Sequence, residues 1–322
     1  MLKTIILNTF KVGLAAGLLY WLVYSGKLDF KLLAELRHYP GSVALALGLT
    51  VVNFFIVSHR WSRILNARSS VQLPLSGLIK VTWIGQFFSS VLPGSVSGDL
   101  VKILYIQKYD RAFSKKFVFA SILIDRVMGL CGLILLVGLS SLIFGEKIVE
   151  NAPAMGPLIE VNYLLMVFVI AGFCGFYYFH HLVRSLLMKF ERLMLSRIFQ
   201  KIISLWDDLV SIRSKMLLGI GLSILVQLTA VLIFWCLIYP FVGSNMNFVQ
   251  ALAFIPIGLM TLALPVAPGG LGVGHAIFQK LFELSGITNG ASLFNLYFVV
   301  TLAVNILGVI PYLLSRVGEE KN

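Results

Sequence analysis

Apolar runs long enough to cross a bilayer recur along the whole chain, at residues 5–24, 43–58, 117–144, 161–179, 217–242 and 293–314. No other feature narrows the fold so far. Hydrocarbon offers no water to backbone N–H and C=O groups, so these runs must satisfy themselves as helices. The first run is longer than a signal-peptide core and has no convincing cleavage site, so it reads as a span. The expectation is an all-α polytopic membrane protein with about six spanning helices.

Two interruptions complicate that picture. Leu92-Pro93-Gly94-Ser95-Val96-Ser97-Gly98-Asp99 breaks one apolar run, and Leu264-Pro265-Val266-Ala267-Pro268-Gly269-Gly270-Leu271-Gly272-Val273-Gly274-His275 breaks another. Irregular backbone at membrane depth survives only where it is buried in protein or lines a wet cavity. Lys102, Lys108, Arg111, Lys115 and Lys116 follow the first break closely. A full crossing of 78–92 would put those five outside. Folding back at Pro93-Gly94 keeps both flanks inside, as positive charge prefers. The second break is flanked only by Lys280 and Glu283, which suits the outer face. Two re-entrant broken-helix hairpins then enter from opposite sides, in halves at about 1–145 and 146–322 that form an inverted repeat.

Composition settles which partners to expect. The chain is 58% hydrophobic and 12% charged, with mean hydropathy +0.92, and the gaps between its spans hold most of the Lys and Arg behind a formal charge of +12. Basic residues so placed retain cytoplasmic loops and attract anionic lipid heads; no RNA-binding motif accompanies them. Both termini are expected in the cytoplasm, in the cytoplasmic (inner) membrane. Residues 182–215 are amphipathic and read as one or two helices in the inner interface. Cys131, Cys174 and Cys236 lie in apolar runs without CxxC spacing, and His180-His181 has no further ligands, so no metal or disulfide frame is expected. No GxxxxGK[ST] run is present, and no cofactor is expected.

Chemistry concentrates at the breaks. A helix beginning inside the membrane exposes N–H groups and the positive end of its dipole, which suits phosphate. Gly94, Gly98, Gly269, Gly270 and Gly272 let backbone turn sharply and approach a headgroup; Pro93 and Pro268 end the preceding helices. Ser97 is a candidate N-cap, and Asp99 stands at a helix start. Asp125 and Arg126 lie within a span and point about 100° apart, so each needs a partner elsewhere. Arg126 is expected to pair with Asp99 or a lipid phosphate, and Asp125 with Lys102; an inert structural pair is the alternative. Arg60 and Trp61 end the second run, where Trp61 suits the interface and Arg60 reaches out to lipid phosphate. His275 is the titratable residue at the outer break, either a gate or proton carrier or a neutral cap.

These residues resemble the flippase-like membrane-protein family that includes the lysylphosphatidylglycerol synthase transmembrane domain. The resemblance rests on Arg60-Trp61, Leu92-Pro93-Gly94 with Gly98-Asp99 and Lys102, Asp125-Arg126 with Gly129, and Pro265 and Pro268 with Gly269-Gly270-Leu271-Gly272. It covers nearly the whole chain and stops at the membrane domain. The family pattern has Arg where Lys102 stands, Glu where Asp125 stands, and Arg-Glu where Gly274-His275 stand. The resemblance implies movement of a polar-headed lipid across the cytoplasmic membrane. Read with the breaks, it favours a translocase or secondary transporter for an anionic phospholipid or a polyprenyl-phosphate-linked lipid, not an enzyme. The alternatives are a membrane-embedded enzyme acting on a lipid headgroup and an accessory module serving a lipid-synthesis partner. A homo-oligomer is compatible with either.

Overall fold

The computed structural model describes residues 30–67, 72–91, 97–109, 113–194, 203, 207, 210, 213–262 and 273–314. Among them every regular element is a helix. A short helix, α1 (Phe30–Glu35), and a 3₁₀ turn lead into α2 (Pro40–Leu65), with Pro40 in the first turn, where its missing N–H costs nothing. α3 (Leu75–Val91) and α4 (Ser97–Tyr109) follow. α5 (Lys115–Asn151) is capped by Ser114, whose hydroxyl accepts from the Phe117 N–H at 3.2 Å. Its 37 residues reach about 55 Å, well beyond the hydrocarbon thickness. Then come α6 (Gly156–Tyr178), α7 (His180–Met194), α8 (Arg213–Val242), α9 (Phe248–Leu262), α10 (Val273–Glu283), α11 (Gly290–Ile306) and α12 (Val309–Leu314).

Five helical stretches are long and apolar enough to cross a membrane: Pro40–Leu65, Lys115–Glu150, Pro153–Tyr178, Met216–Val242 and Gly290–Leu314. They coincide with five of the six expected spans; the run at 5–24 lies outside the described residues. Their side chains are arranged as lipid requires. α6 exposes Leu164, Val167 and Phe168, the last at 76%. α2 exposes Val51, Val52 and Phe55 while burying Ala46, Thr50 and Ser58. Water would reward the reverse. In lipid, small and polar residues turn inward because close backbone approach and hydrogen bonds hold helices together. The Thr50 and Ser58 hydroxyls donate back to the carbonyls of Ala46 and Phe54 at 2.7 and 2.9 Å. Asn53 crosses to α8, donating to the Val226 carbonyl at 2.7 Å and the Thr229 hydroxyl at 2.6 Å. The chain is a multi-pass membrane protein.

Two antiparallel hairpins complete the architecture. α3 and α4 run side by side, with Ser97 opposite Phe88, Lys102 against Gly85, and Ile106 in one cluster with Leu78 and Val81. A Cβ on Gly98 would collide with the Gly85 carbonyl, so the two helices close only because that residue is glycine. α4 begins at Ser97, whose hydroxyl donates across the hairpin to Phe88 O at 3.2 Å. α9 opens on a reciprocal box in which the Asn247 side chain accepts from Gln250 N and the Gln250 side chain accepts from Asn247 N, at 2.9 and 2.8 Å. It returns as α10, with Gly258 against Phe278 and Gly274 beside Leu262. Each hairpin leans on a span distant in sequence. α9 meets α5, where Ser140 Oγ donates to Leu252 O at 3.3 Å. α3 meets α11, where Trp83 Nε1 donates to Val304 O at 2.8 Å and Asn305 Nδ2 to Ser90 Oγ at 3.0 Å. The span at 293–314 is broken between α11 and α12, as Pro311 leads one to expect: its ring has no N–H for the Leu307 carbonyl four residues back.

Candidate functional site

The small residues of α5 decide how closely its neighbours approach. Asp125, Gly129 and Gly132 follow one another at helical spacing on the face toward α8. Gly132 lies directly on the backbone of Ser223, and Gln227 Nε2 donates to the Gly129 carbonyl at 3.0 Å. This brings α2, α5 and α8 together around one side chain. Arg60 is 4% exposed; its Nε and Nη2 donate to the two Asp125 carboxylate oxygens at 2.7 and 3.0 Å. Nη2 also reaches the Asp125 carbonyl at 3.1 Å, and Nη1 the Ser223 hydroxyl at 2.9 Å. The planar fork of guanidinium matches a carboxylate in a way an ammonium does not.

Two sequence expectations are corrected here. α2 does not end at Ser58 but runs on to Leu65, so Arg60 and Trp61 face protein instead of the membrane interface. Trp61 is buried, with its indole N–H donating to Ser121 Oγ at 3.2 Å. Asp125 pairs with Arg60, not with Lys102, because Arg60 arrives from α2 with the better geometry.

Lys102 turns instead toward Asp99, three residues earlier on α4, at 3.7 Å, and its Nζ stands 5.4 Å from the centre of the Trp61 ring. Asp99 occupies the first turn of α4, where the helix dipole favours a carboxylate. Its Oδ2 accepts from Arg126 Nε at 2.7 Å and lies 2.6 Å from Nη2. Of the two partners the sequence offered Arg126, Asp99 or a lipid phosphate, this structure shows Asp99. Asp125 and Arg126, adjacent on α5, thus satisfy opposite partners on two different helices.

Between these pairs lies a cavity of about 240 Å³. α2 contributes Arg60 and Trp61, α4 contributes Asp99 and Lys102, and α5 contributes Asp125 and Arg126. Gln86 and Ser89 on α3 complete the wall and were not anticipated, although two polar residues three apart in an apolar run were a readable signal. Among the described residues the lining carries three cations and two carboxylates, a net charge of one positive. Arg126 is the open one, with 40% of its side chain exposed. Such a cavity can take a singly charged anion at the Arg126 end.

Of the remaining expected site residues, Gly98 forms the tight crossing of α3 and α4. Pro93, Gly94, Pro268, Gly269, Gly270 and Gly272 lie outside the described residues. His275 is on α10, away from the cavity, with its ring edge-on to Phe294 at 4.9 Å and near Phe298 at 6.5 Å. The core around it is aromatic: Phe234, Phe278, Phe282 and Phe294 are all buried.

Residues 8–311 match the family described as the lysylphosphatidylglycerol synthase TM region. The chain is also 21% identical over 305 residues to the UPF0104 membrane protein PH1989 of Pyrococcus horikoshii, an alignment covering 89% of this chain and 88% of that protein. No solved structure matches it.

Proposed function

The chain belongs to the lysylphosphatidylglycerol synthase TM region family, and from that premise we propose that it carries a lipid with an anionic, phosphate-linked head across the cytoplasmic membrane without altering it chemically. The observation that carries this reading is the charged cavity closed by Asp99, Lys102, Asp125, Arg126 and Arg60 inside a bundle whose outer surface is apolar. Ionised side chains at membrane depth are costly, roughly 2.5–3.5 kcal/mol each on insertion scales, and mark substrate pathways. The head leaves water for the Arg126 end of the cavity while its tails stay among the exposed apolar side chains of the spans.

The reading takes α3–α4 and α9–α10 as re-entrant hairpins of an inverted repeat, with both termini cytoplasmic. It is supported by their antiparallel paths and by the way each rests on the other half's closing span. Rocking of one half against the other then alternates access to the cavity. The test is purified protein in vesicles containing fluorescent phosphatidylglycerol, with a membrane-impermeant reductant added outside. Empty vesicles keep the inner-leaflet label; vesicles with protein are expected to lose nearly all of it. Retention of the inner label overturns the reading.

The family's description as part of a synthase favours one second reading, a membrane module serving a lipid-headgroup enzyme, alone or with a partner. It requires chemically changed lipid in the same vesicles once the partner is supplied, and no dependence of that product on Arg126.

A further inference from the structure

The two carboxylates of the cavity are held in different ways. Asp125 is locked: both oxygens are taken by Arg60, which is itself buried and tied to α8 through Ser223. Asp99 is held through one oxygen by Arg126, whose side chain is open to the cavity, while its other oxygen stands 3.7 Å from Lys102, beyond hydrogen-bonding distance. An incoming anion therefore meets Arg126 already engaged by an internal carboxylate and must compete for it.

Resting on the transport reading above, we infer that Asp99 is a displaceable counter-ion that couples a lipid's phosphodiester head to a proton. The head takes the Arg126 guanidinium from Asp99, and the released carboxylate takes up one proton from the same side. Asp99 is 6% exposed and lines the cavity, so the entering head lies beside the carboxylate that it has displaced. The charged groups facing it among the described residues are Lys102 on its own helix, Arg126 and Asp125 from α5, and Arg60 from α2; α3 offers only Gln86 and Ser89. Arg60 and Asp125 neutralise each other. Lys102 stands 3.7 Å from the other Asp99 oxygen and 5.4 Å from the Trp61 ring centre, a looser contact than the two short Arg126 ones. One proton and one singly charged head enter together and leave together. The site then carries the same net charge empty and loaded, so a pH gradient drives the lipid.

The experiment measures binding of fluorescent phosphatidylglycerol to the full chain in phosphatidylcholine nanodiscs as a function of pH. Uptake of one proton per anion weakens wild-type binding about tenfold for each unit rise in pH. Asp99→Asn, which copies the protonated state, is expected to bind tightly with no slope; Asp99→Glu is expected to keep the slope. The wild-type slope decides the matter even if the Asn variant does not fold, which size-exclusion profiles reveal. Wild-type binding that is flat in pH, with lipid movement intact, overturns the coupling alone. Absence of any binding overturns both the coupling and the transport reading. Glycerophosphoglycerol, the soluble phosphodiester counterpart of the head, is expected to compete poorly; competition at equal concentration would assign the site to a soluble phosphate ester and overturn the lipid proposal.

Discussion

The hairpin α3–α4 and the hairpin α9–α10 follow the same path with different contents. Both run antiparallel, both close on a glycine, and each leans on a span distant in sequence, α11 for the first and α5 for the second. Beside the first, five charged side chains surround a cavity. Beside the second, phenylalanine rings stack, with Phe278 and Phe294 4.9 Å apart and nearly parallel, and Phe234 4.9 Å from Phe278. Glycine placement fixes how two short helices close on one another; the residues facing the closed hairpin decide whether the result is a site or a support. Under the proposed function, the first hairpin serves as the site and the second as its brace.

The largest expected effect comes from Arg60→Ala. It strands the Asp125 carboxylate without a partner and is expected to cost about 3–5 kcal/mol, read as thermal unfolding in detergent. A small loss would show that the first hairpin tolerates an unpaired charge and is wetter than its geometry implies. Gly98→Ala comes next, at about 1–3 kcal/mol with loss of lipid movement, because the added methyl meets the Gly85 backbone. Gly258→Ala meets the Phe278 ring instead and is expected to cost stability in the same range, while lipid movement recovers at lower temperature. Equal effects of the two on transport would erase the distinction between site and brace. The smallest effect belongs to His275→Gln, within about 1 kcal/mol and with an unchanged pH dependence of lipid binding. A flattened pH profile in that variant would make the second hairpin a site as well.

Much of this was legible in the sequence, for reasons that differ by region. The five described spans follow from hydropathy because lipid allows the backbone little besides helix. The Asp99–Arg126 pair was legible because a charge inside a span must find its opposite. The Arg60–Asp125 pair was not, since the run of apolar residues stops at Ser58 and Arg60 then reads as an interfacial cation. The missing signal was Phe54, Ser58, Trp61 and Leu65, whose spacing of four, three and four carries one buried face past that point. The glycine-rich stretch before His275 suggested a second polar site. Residues 263–272 lie outside the described residues; on α10 itself, nothing in local periodicity announces that Phe234 and Phe294, distant in sequence, converge on Phe278.

The central claim is that the Arg126 end of the cavity receives a lipid's anionic head during passage. The direct measurement is the sided bleaching of fluorescent phosphatidylglycerol by wild type and by Arg126→Gln, reconstituted at equal density and with matched unfolding temperatures. The account predicts that wild type exposes nearly all the inner label and that the variant slows this at least about tenfold, the kinetic equivalent of about 1.4 kcal/mol. Equal rates for the two proteins would contradict it.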